Sequence, residues 1–244
     1  MTDEADRVTV GVGIPTCSYE RAEDLATCLE GINSGSRRPA RIVVSVDSNP
    51  LLARHLARRP DVGQQADVVV VDGAGVGVSE ARNEAAAAVG TDIVLFIDDD
   101  VRPHQRWVEG MVSALVQPGV VAAGGRVLPV YESPRRRLPP ELLWLVGCTY
   151  AGHADGPGPI SRPIGAAMGF WRDRLLEVGG FNARFGPRRG RKASSNEELE
   201  LAVRLREAYG DEAIRYQPHA IVFHKVPEQR CTWRYLTQRC WVEG

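Results

Sequence analysis

The sequence contains no run of apolar residues near the roughly 20 that a helix needs to cross a bilayer. Its N-terminal segment, MTDEADR, is acidic and is not followed by a long apolar stretch, so no secretory signal is visible. The five cysteines are widely spaced and include no C-x-x-C pair, which argues against a disulfide framework and a thiolate zinc site. We therefore expect no transmembrane segment and a cytoplasmic location, with a peripheral position at the membrane face left open.

Neither sign of charge is in excess, because the formal net charge of the 244 residues is −1. Without a basic surplus, binding to the phosphate backbone is a poor candidate for the main task, and we expect no nucleic-acid partner. Repeats and long linkers are also missing. With 43% hydrophobic and 25% charged residues, the chain has the composition of a packed domain. We expect one domain over residues 8–244, preceded by an N-terminal tail at residues 1–7.

The first half of the sequence alternates strand-like and helix-like patterns. Strands are predicted at 8–16, 41–47, 66–73 and 92–100, and helices at 22–33, 51–59, 78–90 and within 102–119. Strands that are apolar on both faces and separated by helices predict a parallel sheet covered on both sides. This α/β half, at about 8–125, is the expected nucleotide-binding half.

The second half has a different pattern, which predicts a mixed sheet. Strands are predicted at 119–131, at 160–172 and, as one or two strands, within 213–226; helices are predicted at 173–180 and 194–210. We expect this part, at about 126–230, to form the substrate half of the domain.

Acidic residues lie where the predicted parallel strands end. Asp98, Asp99 and Asp100 follow an apolar strand, and Asp47 and Asp72 follow two others. Ligands of such sheets bind beyond the carboxyl ends of the strands. Clustered carboxylates are natural ligands of Mg²⁺ or Mn²⁺, whose charge would also relieve their mutual repulsion. The alternative is an acidic turn that caps the next helix.

Seven motifs together resemble family-two glycosyltransferases with the GT-A fold. They occur in one order between about Val8 and His224: VGIPTC, IVVSVDSN, GVSEARNEA, IVLFIDDD, IGAAMGFWRDRLLEVGGFN, NEELELAVRL and AIRYQPHAIVFH. The resemblance implies a single GT-A-type domain, with the acceptor-binding and catalytic half at about 126–230. It also implies a metal-dependent, inverting, hexosyltransferase-like enzyme. It would move a sugar from a nucleotide-diphosphate sugar, with a UDP-sugar favoured, to a hydroxyl acceptor of unknown type, using Mn²⁺ or Mg²⁺.

The resemblance also implies individual roles. The nucleotide-contacting residues would be Thr16 and Asp47 at the base, Arg82 and Asn83 near the diphosphate, and Asp98 and Asp99 of the D-x-D element, with Asp98 near the ribose. The metal would be bound by Asp100, Asp98 and His224. Glu198 matches the catalytic base, with its neighbour Glu197 as the nearest rival. The base position is a glutamate where the family has an aspartate, and CSYER replaces the aromatic residue that often follows the first threonine.

Several alternatives remain at the level of sequence. Ser195 and Glu198 have the spacing of a helix capping box. The basic stretch with Arg188, Arg189, Arg191 and Lys192 fits either a lid over the phosphates or a solvated loop. LFIDDDV is also compatible with a phosphohydrolase that uses an aspartyl nucleophile, and a nucleotide-sugar-binding module without turnover is a third possibility. A dinucleotide site is disfavoured, because Val78 occupies the last glycine position of G-x-G-x-x-G.

Overall fold

The computed structural model describes residues 2–71, 77–133, 136–186 and 196–243. Its strands form one mixed sheet with the order β3-β2-β1-β4-β8-β6-β9-β5, and β7 pairs with β9 at one side. In chain order the strands are β1 (Val10–Thr16), β2 (Arg41–Asp47), β3 (Asp67–Val71), β4 (Ile93–Ile97), β5 (Val101–Pro103), β6 (Ala122–Tyr131), β7 (Gly158–Pro159), β8 (Ala167–Trp171) and β9 (Ile214–Val226).

Helices cover the sheet on both faces. They are α1 (Thr2–Arg7), α2 (Ala22–Asn33), α3 (Pro50–Arg58), α4 (Pro60–Gly63), α5 (Val78–Val89), α6 (Trp107–Leu115), α7 (Arg172–Glu177), α8 (Glu197–Tyr209) and α9 (Trp233–Glu243). Short 3-10 helices lie at Tyr19–Arg21, Pro140–Val146 and Glu228–Cys231. Within the described ranges, no helix is both long enough and apolar enough to span a membrane.

The predicted fold class is confirmed. Strands β3, β2, β1 and β4 are parallel neighbours, as the apolar runs of the first half predict. Strand β8 then pairs antiparallel with both β4 and β6, and β9 runs parallel to β6, so the second half of the sheet is mixed. All five residues of β4 are buried, as expected for a central strand covered on both faces.

The structure differs from the sequence-based boundaries in several places. The helix predicted within 102–119 begins only at Trp107, because Val101–Pro103 pairs with β9 as a short edge strand. Such a strand tolerates Pro103, which has no N–H to donate. The strand predicted at 160–172 is shorter and begins at Ala167, and the N-terminal tail contains α1. Helix α9 has no counterpart in the sequence-based prediction.

Two apolar layers enclose the sheet. One contains the inward faces of α2 and α6, including Leu25, Leu29 and Trp107. The other contains apolar residues of α5 and α8 and an aromatic cluster in which the Phe96 and Phe181 rings meet edge-on at 5.5 Å. Helices α5 and α8, which carry Arg82 and the Glu197–Glu198 pair, are therefore anchored on the same face.

The approach of α5 to β1 depends on a glycine. A Cβ placed on Gly13 would lie 2.8 Å from Ala85 Cβ and 3.0 Å from Phe96 Cε1. Because the first distance is shorter than real Cβ contacts, a larger residue here would push α5 away from the sheet.

We expect Gly13→Ala to lower the free energy of unfolding by about 1–3 kcal/mol, the usual cost of overpacking a core. Urea unfolding followed by circular dichroism measures this change. Gly156→Ala is the matched control, because a Cβ at Gly156 has no heavy atom within 4 Å. Equal stability of the two variants would contradict the close-packing argument.

Candidate active site

Most of the predicted site residues lie at one edge of the sheet. Thr16 and Asp47 end β1 and β2, and Asp98 directly follows β4. Because these strands are parallel, their carboxyl ends meet at the same edge. His224 reaches this region from the second half of the chain, opposite Val101 in the pairing of β5 with β9.

Protein groups contact both carboxylate oxygens of Asp99, the middle residue of the acidic triplet. Thr16 Oγ1 donates a hydrogen bond to Asp99 Oδ2 at 2.6 Å, and Arg21 Nη1 donates to Asp99 Oδ1 at 2.5 Å. Burial raises the pKa of Asp99 to about 6, although Arg21 and Thr16 act in the opposite direction. Thr16 and Asp99, both predicted to contact the nucleotide, therefore contact each other, and only 2% of Asp99 is exposed.

The two carboxylate oxygens of Asp100 have different surroundings. Oδ2 lies 3.2 Å from Arg21 Nη1 and 3.9 Å from Arg230 Nη2. Oδ1 lies 3.3 Å from His224 Nε2 but, among the described residues, this buried oxygen has no hydrogen bond of acceptable geometry. Burial acts to raise the pKa of Asp100, but His224, Arg21 and Arg230 lower it to about 2. A buried carboxylate oxygen without a well-aligned hydrogen bond is uncommon and suggests a ligand position.

His224 connects Asp100 to Cys148. Its Nδ1 lies 3.6 Å from Cys148 Sγ. Burial acts to lower the pKa of His224, but Asp100 and Cys148 outweigh it and raise the pKa to about 10. A metal at Nε2 would have to displace the proton that this arrangement favours. Over the described ranges, no three His, Cys, Asp or Glu side chains converge as a ready metal-binding group.

Arg82 is the charged centre of the site. This side chain is 3% exposed, and its Nη1 lies 3.1 Å from Glu197 Oε1 and 3.4 Å from Glu198 Oε1. Its Nη2 lies 3.5 Å from Asp98 Oδ1. Burial acts to lower the pKa of Arg82, but the three carboxylates raise it above its usual value, so the guanidinium stays charged. Arg82, predicted near the diphosphate, thus joins the end of β4 to the start of α8.

The two glutamates at the start of α8 have different environments. Glu197 is 3% exposed, and its Oε2 is buried without a hydrogen-bond partner in the described parts of the chain. Burial, followed by the charge of Glu198, raises the pKa of Glu197 to about 7 against the opposing effect of Arg82. The Glu198 side chain is more accessible, at 16% exposure.

Three predicted site residues line a single cavity of about 130 Å³: Asp98, Glu198 and His224. Gly165 also lines it, and a Cβ at Gly165 would overlap both Glu198 Oε1 and Arg82 Nη2. A glycine here therefore leaves room for the carboxylate of Glu198 beside the guanidinium of Arg82.

Two other residues predicted to contact the nucleotide, Asn83 and Asp47, form hydrogen bonds within the protein instead. Asn83 exchanges two hydrogen bonds of 2.8 Å with the backbone of Phe181, so its amide anchors the segment before α8 rather than facing the cavity. Asp47 accepts hydrogen bonds from Ser48 Oγ at 2.8 Å and from the Gly77 N–H at 3.2 Å. Asp47 therefore contacts the residue immediately before α5.

The capping-box alternative for Glu198 does not fit the start of α8. The N-cap residue is Asn196, so Glu198 is the second helical residue, whereas a capping box requires the third. Ser195, Asp72 and the basic stretch with Arg188, Arg189, Arg191 and Lys192 lie outside the described residues.

Sequence reasoning did not identify several side chains around this centre. They are Arg21, Cys148, His153, Arg162 and Arg230. Arg21 lies in CSYER, where the chain departs from the family pattern, and that departure is the one local signal for it. The others become neighbours through long-range packing and have no distinctive spacing in the sequence.

The curated proteins that this chain resembles in sequence are glycosyltransferases. The chain is 31% identical over 238 residues to glucosyl-dolichyl phosphate glucuronosyltransferase of Haloferax volcanii, covering 96% of this chain and 75% of the relative. It is 29% identical over 161 residues to pre-mycofactocin glycosyltransferase of Mycobacterium tuberculosis, covering 64% of this chain but 32% of that protein.

A solved structure also matches the fold. GalNAc-T7, crystallised with UDP, GalNAc and Mn²⁺, aligns with a TM-score of 0.61 and 13% sequence identity, covering 90% of this chain and 44% of that one. The model of the family described as glycosyl transferase family 2 matches residues 12–179. With this match across most of its length, the chain belongs to glycosyl transferase family 2 and is a glycosyltransferase with a GT-A-type α/β fold.

Proposed function

We propose that the protein is a metal-dependent, inverting, hexosyltransferase-like enzyme that uses a nucleotide-diphosphate sugar, with a UDP-sugar favoured, and a hydroxyl acceptor. The observation that carries this proposal is that Asp98, Glu198 and His224 line one cavity at the carboxyl end of the parallel strands. The structurally similar GalNAc-T7 was crystallised with UDP and Mn²⁺, which supports the choice of donor and cation.

Three described side chains supply donor atoms of the type that a divalent cation takes, although they do not converge as a ready-made site. Asp100 Oδ1 is a buried carboxylate oxygen without a hydrogen bond to the described residues, and His224 Nε2 is 3.3 Å away. Asp98, with 31% of its side chain exposed, opens into the cavity. These three side chains would hold Mn²⁺ or Mg²⁺, and donor oxygens and water would complete its coordination. When bound, the cation would offset negative charge on the leaving diphosphate.

Glu198 is the proposed base, because its carboxylate lines the cavity and is held in place by Arg82. It would accept the proton of the acceptor hydroxyl as that oxygen attacks the anomeric carbon. Attack from the side opposite the leaving group inverts the anomeric configuration. Glu197 is not proposed as the base, because it is buried against Arg82 and does not line the cavity. It would position Arg82 and the start of α8.

We expect one nucleotide diphosphate, UDP in the first instance, to raise the melting temperature only when Mn²⁺ is present. The stabilisation should be about 2.7 kcal/mol at a ligand concentration 100 times the Kd. Asp100→Ala should abolish the shift, each variant being compared with its own ligand-free melt. Asp211→Ala, at an 88% exposed side chain beyond α8, should retain it. A shift with NAD instead, or one indifferent to the cation, would refute the assignment.

We expect Glu198→Gln to lower kcat about 10²–10⁴-fold, the usual contribution of a general base, with little change in nucleotide affinity. Turnover is measured as release of the nucleotide diphosphate from hexose donors of the nucleotide that the melting experiment selects. Glu200→Gln is the matched control, because Glu200 lies on the same helix and pairs with Arg204. Undiminished turnover in Glu198→Gln rules out this base. Binding without turnover in the wild-type protein would indicate a binding module.

We expect Glu197 to make stability depend on pH. Its pKa is raised from 4.5 to about 7 on folding, so its stabilising contribution is complete below about pH 4.5 and decreases as the pH rises through about 7. Glu197→Gln replaces the titrating carboxyl group with a neutral amide. It should therefore reduce the decline in the free energy of unfolding between about pH 5 and pH 8. Urea unfolding at several pH values measures the slope, with Glu207→Gln, an exposed site on the same helix, as control. An unchanged slope contradicts the assignment.

A further inference from the structure

Two groups of side chains with opposite chemical character line the active-site cavity. One contains the carboxylates of Asp98 and Glu198. The other contains His153 and Arg162 together with the aromatic side chains of Trp144 and Tyr150. The proposed base and metal use the first group and leave the second without a role.

Arg162 differs from the arginines at the acidic triplet. Arg21 pairs with Asp99, and Arg82 pairs with Glu197. Arg162 lines the cavity and is half-buried, yet it forms no ion pair with any carboxylate of the described residues. A guanidinium without a counter-charge in a concave, partly dry site favours binding of an anion, and its planar fork matches a carboxylate or a phosphate.

His153 adds an unused hydrogen-bonding atom next to Arg162. The ring is fixed by edge-on contacts with Tyr150 and Tyr216, each with ring centroids 5.2 Å apart. Its Nε2 is buried and has no hydrogen-bond partner among the residues described. Burial, helped by the charge of Arg162, lowers the pKa of His153, so the imidazole is neutral and can donate one hydrogen bond without adding charge.

The second group belongs to the half of the chain that we expect to bind the acceptor. Trp144, Tyr150, His153 and Arg162 all follow β6, in the half of the chain that also contributes Glu198. Thr16, Asp47 and Asp98, which match the family's nucleotide contacts, belong to the first half. Arg162 precedes Gly165, which packs against the Glu198 carboxylate, by three residues, so an anion at Arg162 would lie in the cavity near the proposed base.

We propose that the acceptor carries an anionic group, either a phosphate ester or a carboxylate, near its reacting hydroxyl, and that Arg162 and His153 bind this group. The inference rests on the proposed function, because it assigns the cavity to an acceptor. Arg162 and His153 are specificity residues in this scheme: they select and orient the acceptor and take no part in the proton transfer.

Calorimetric titration with three sugars tests the proposal: glucose 6-phosphate, glucuronate and neutral glucose. Each is titrated into the protein alone and into the protein with UDP and Mn²⁺. At least one anionic sugar should bind about tenfold or more tightly than glucose, the effect of one hydrogen bond to a charged group. Which of the two anionic sugars binds more tightly indicates whether the anionic group of the acceptor is a phosphate ester or a carboxylate.

Arg162→Gln should abolish the preference for the anion and leave the affinity for UDP unchanged, whereas Arg162→Lys should retain part of the preference. Arg106→Gln is the matched control, because Arg106 is exposed and pairs with Glu109 on α6. Circular dichroism melts establish that each variant is folded.

Equal binding of charged and neutral sugars would overturn the proposal. So would a matching loss of UDP affinity in Arg162→Gln, which would assign Arg162 to the donor diphosphate. Failure of every nucleotide diphosphate to bind the wild-type protein would refute the proposed function instead, and the titrations without nucleotide would still decide whether Arg162 selects an anion.

Discussion

The buried guanidinium of Arg82 is the interaction on which the rest of the site depends. It lies within 3.5 Å of carboxylate oxygens from Asp98, Glu197 and Glu198, which belong to two separate parts of the chain. A buried charge is tolerated only when it is paired, so removing Arg82 would leave the carboxylates without their counter-charge. Arg82 lies on α5, so its position depends on how closely α5 packs against β1 at Gly13. This close packing is therefore needed for the site as well as for the core.

One guanidinium cannot neutralise three carboxylates, so an excess of negative charge remains around Arg82. The raised pKa of Glu197, at about 7, is one response, because a proton on Glu197 removes one negative charge. Glu198 and Asp98 then share Arg82 at the cavity wall, where negative charge favours a cation. Arg162 lines the same cavity, and its positive charge would favour an acceptor that has an anionic group as well as a hydroxyl.

The parallel half of the fold was predictable because each of its strands is a local apolar run followed by a polar turn. Contacts between distant residues were not. The pairing of Val101 with His224 joins two short segments more than a hundred residues apart, and neither segment specifies its partner. Arg82 was expected near the diphosphate from its motif, but its two glutamate partners lie 115 and 116 positions later in the chain. The family resemblance identified these residues; only the fold shows which of them touch.

Arginines near the acidic triplet compete with a metal for the same carboxylates. Arg21 lies 2.5 Å from Asp99 and 3.2 Å from Asp100. Among the described residues, the arginines contact only one of the two carboxylate oxygens of Asp100. Oδ2 faces Arg21 and Arg230, whereas Oδ1 is on the His224 side and accepts no hydrogen bond from the described residues. The arginines can thus hold Asp100 in position through one oxygen while the other stays available to a cation. A protonated His224 stabilises this carboxylate without a metal, and a divalent cation that replaced the proton would also supply positive charge beside Asp100.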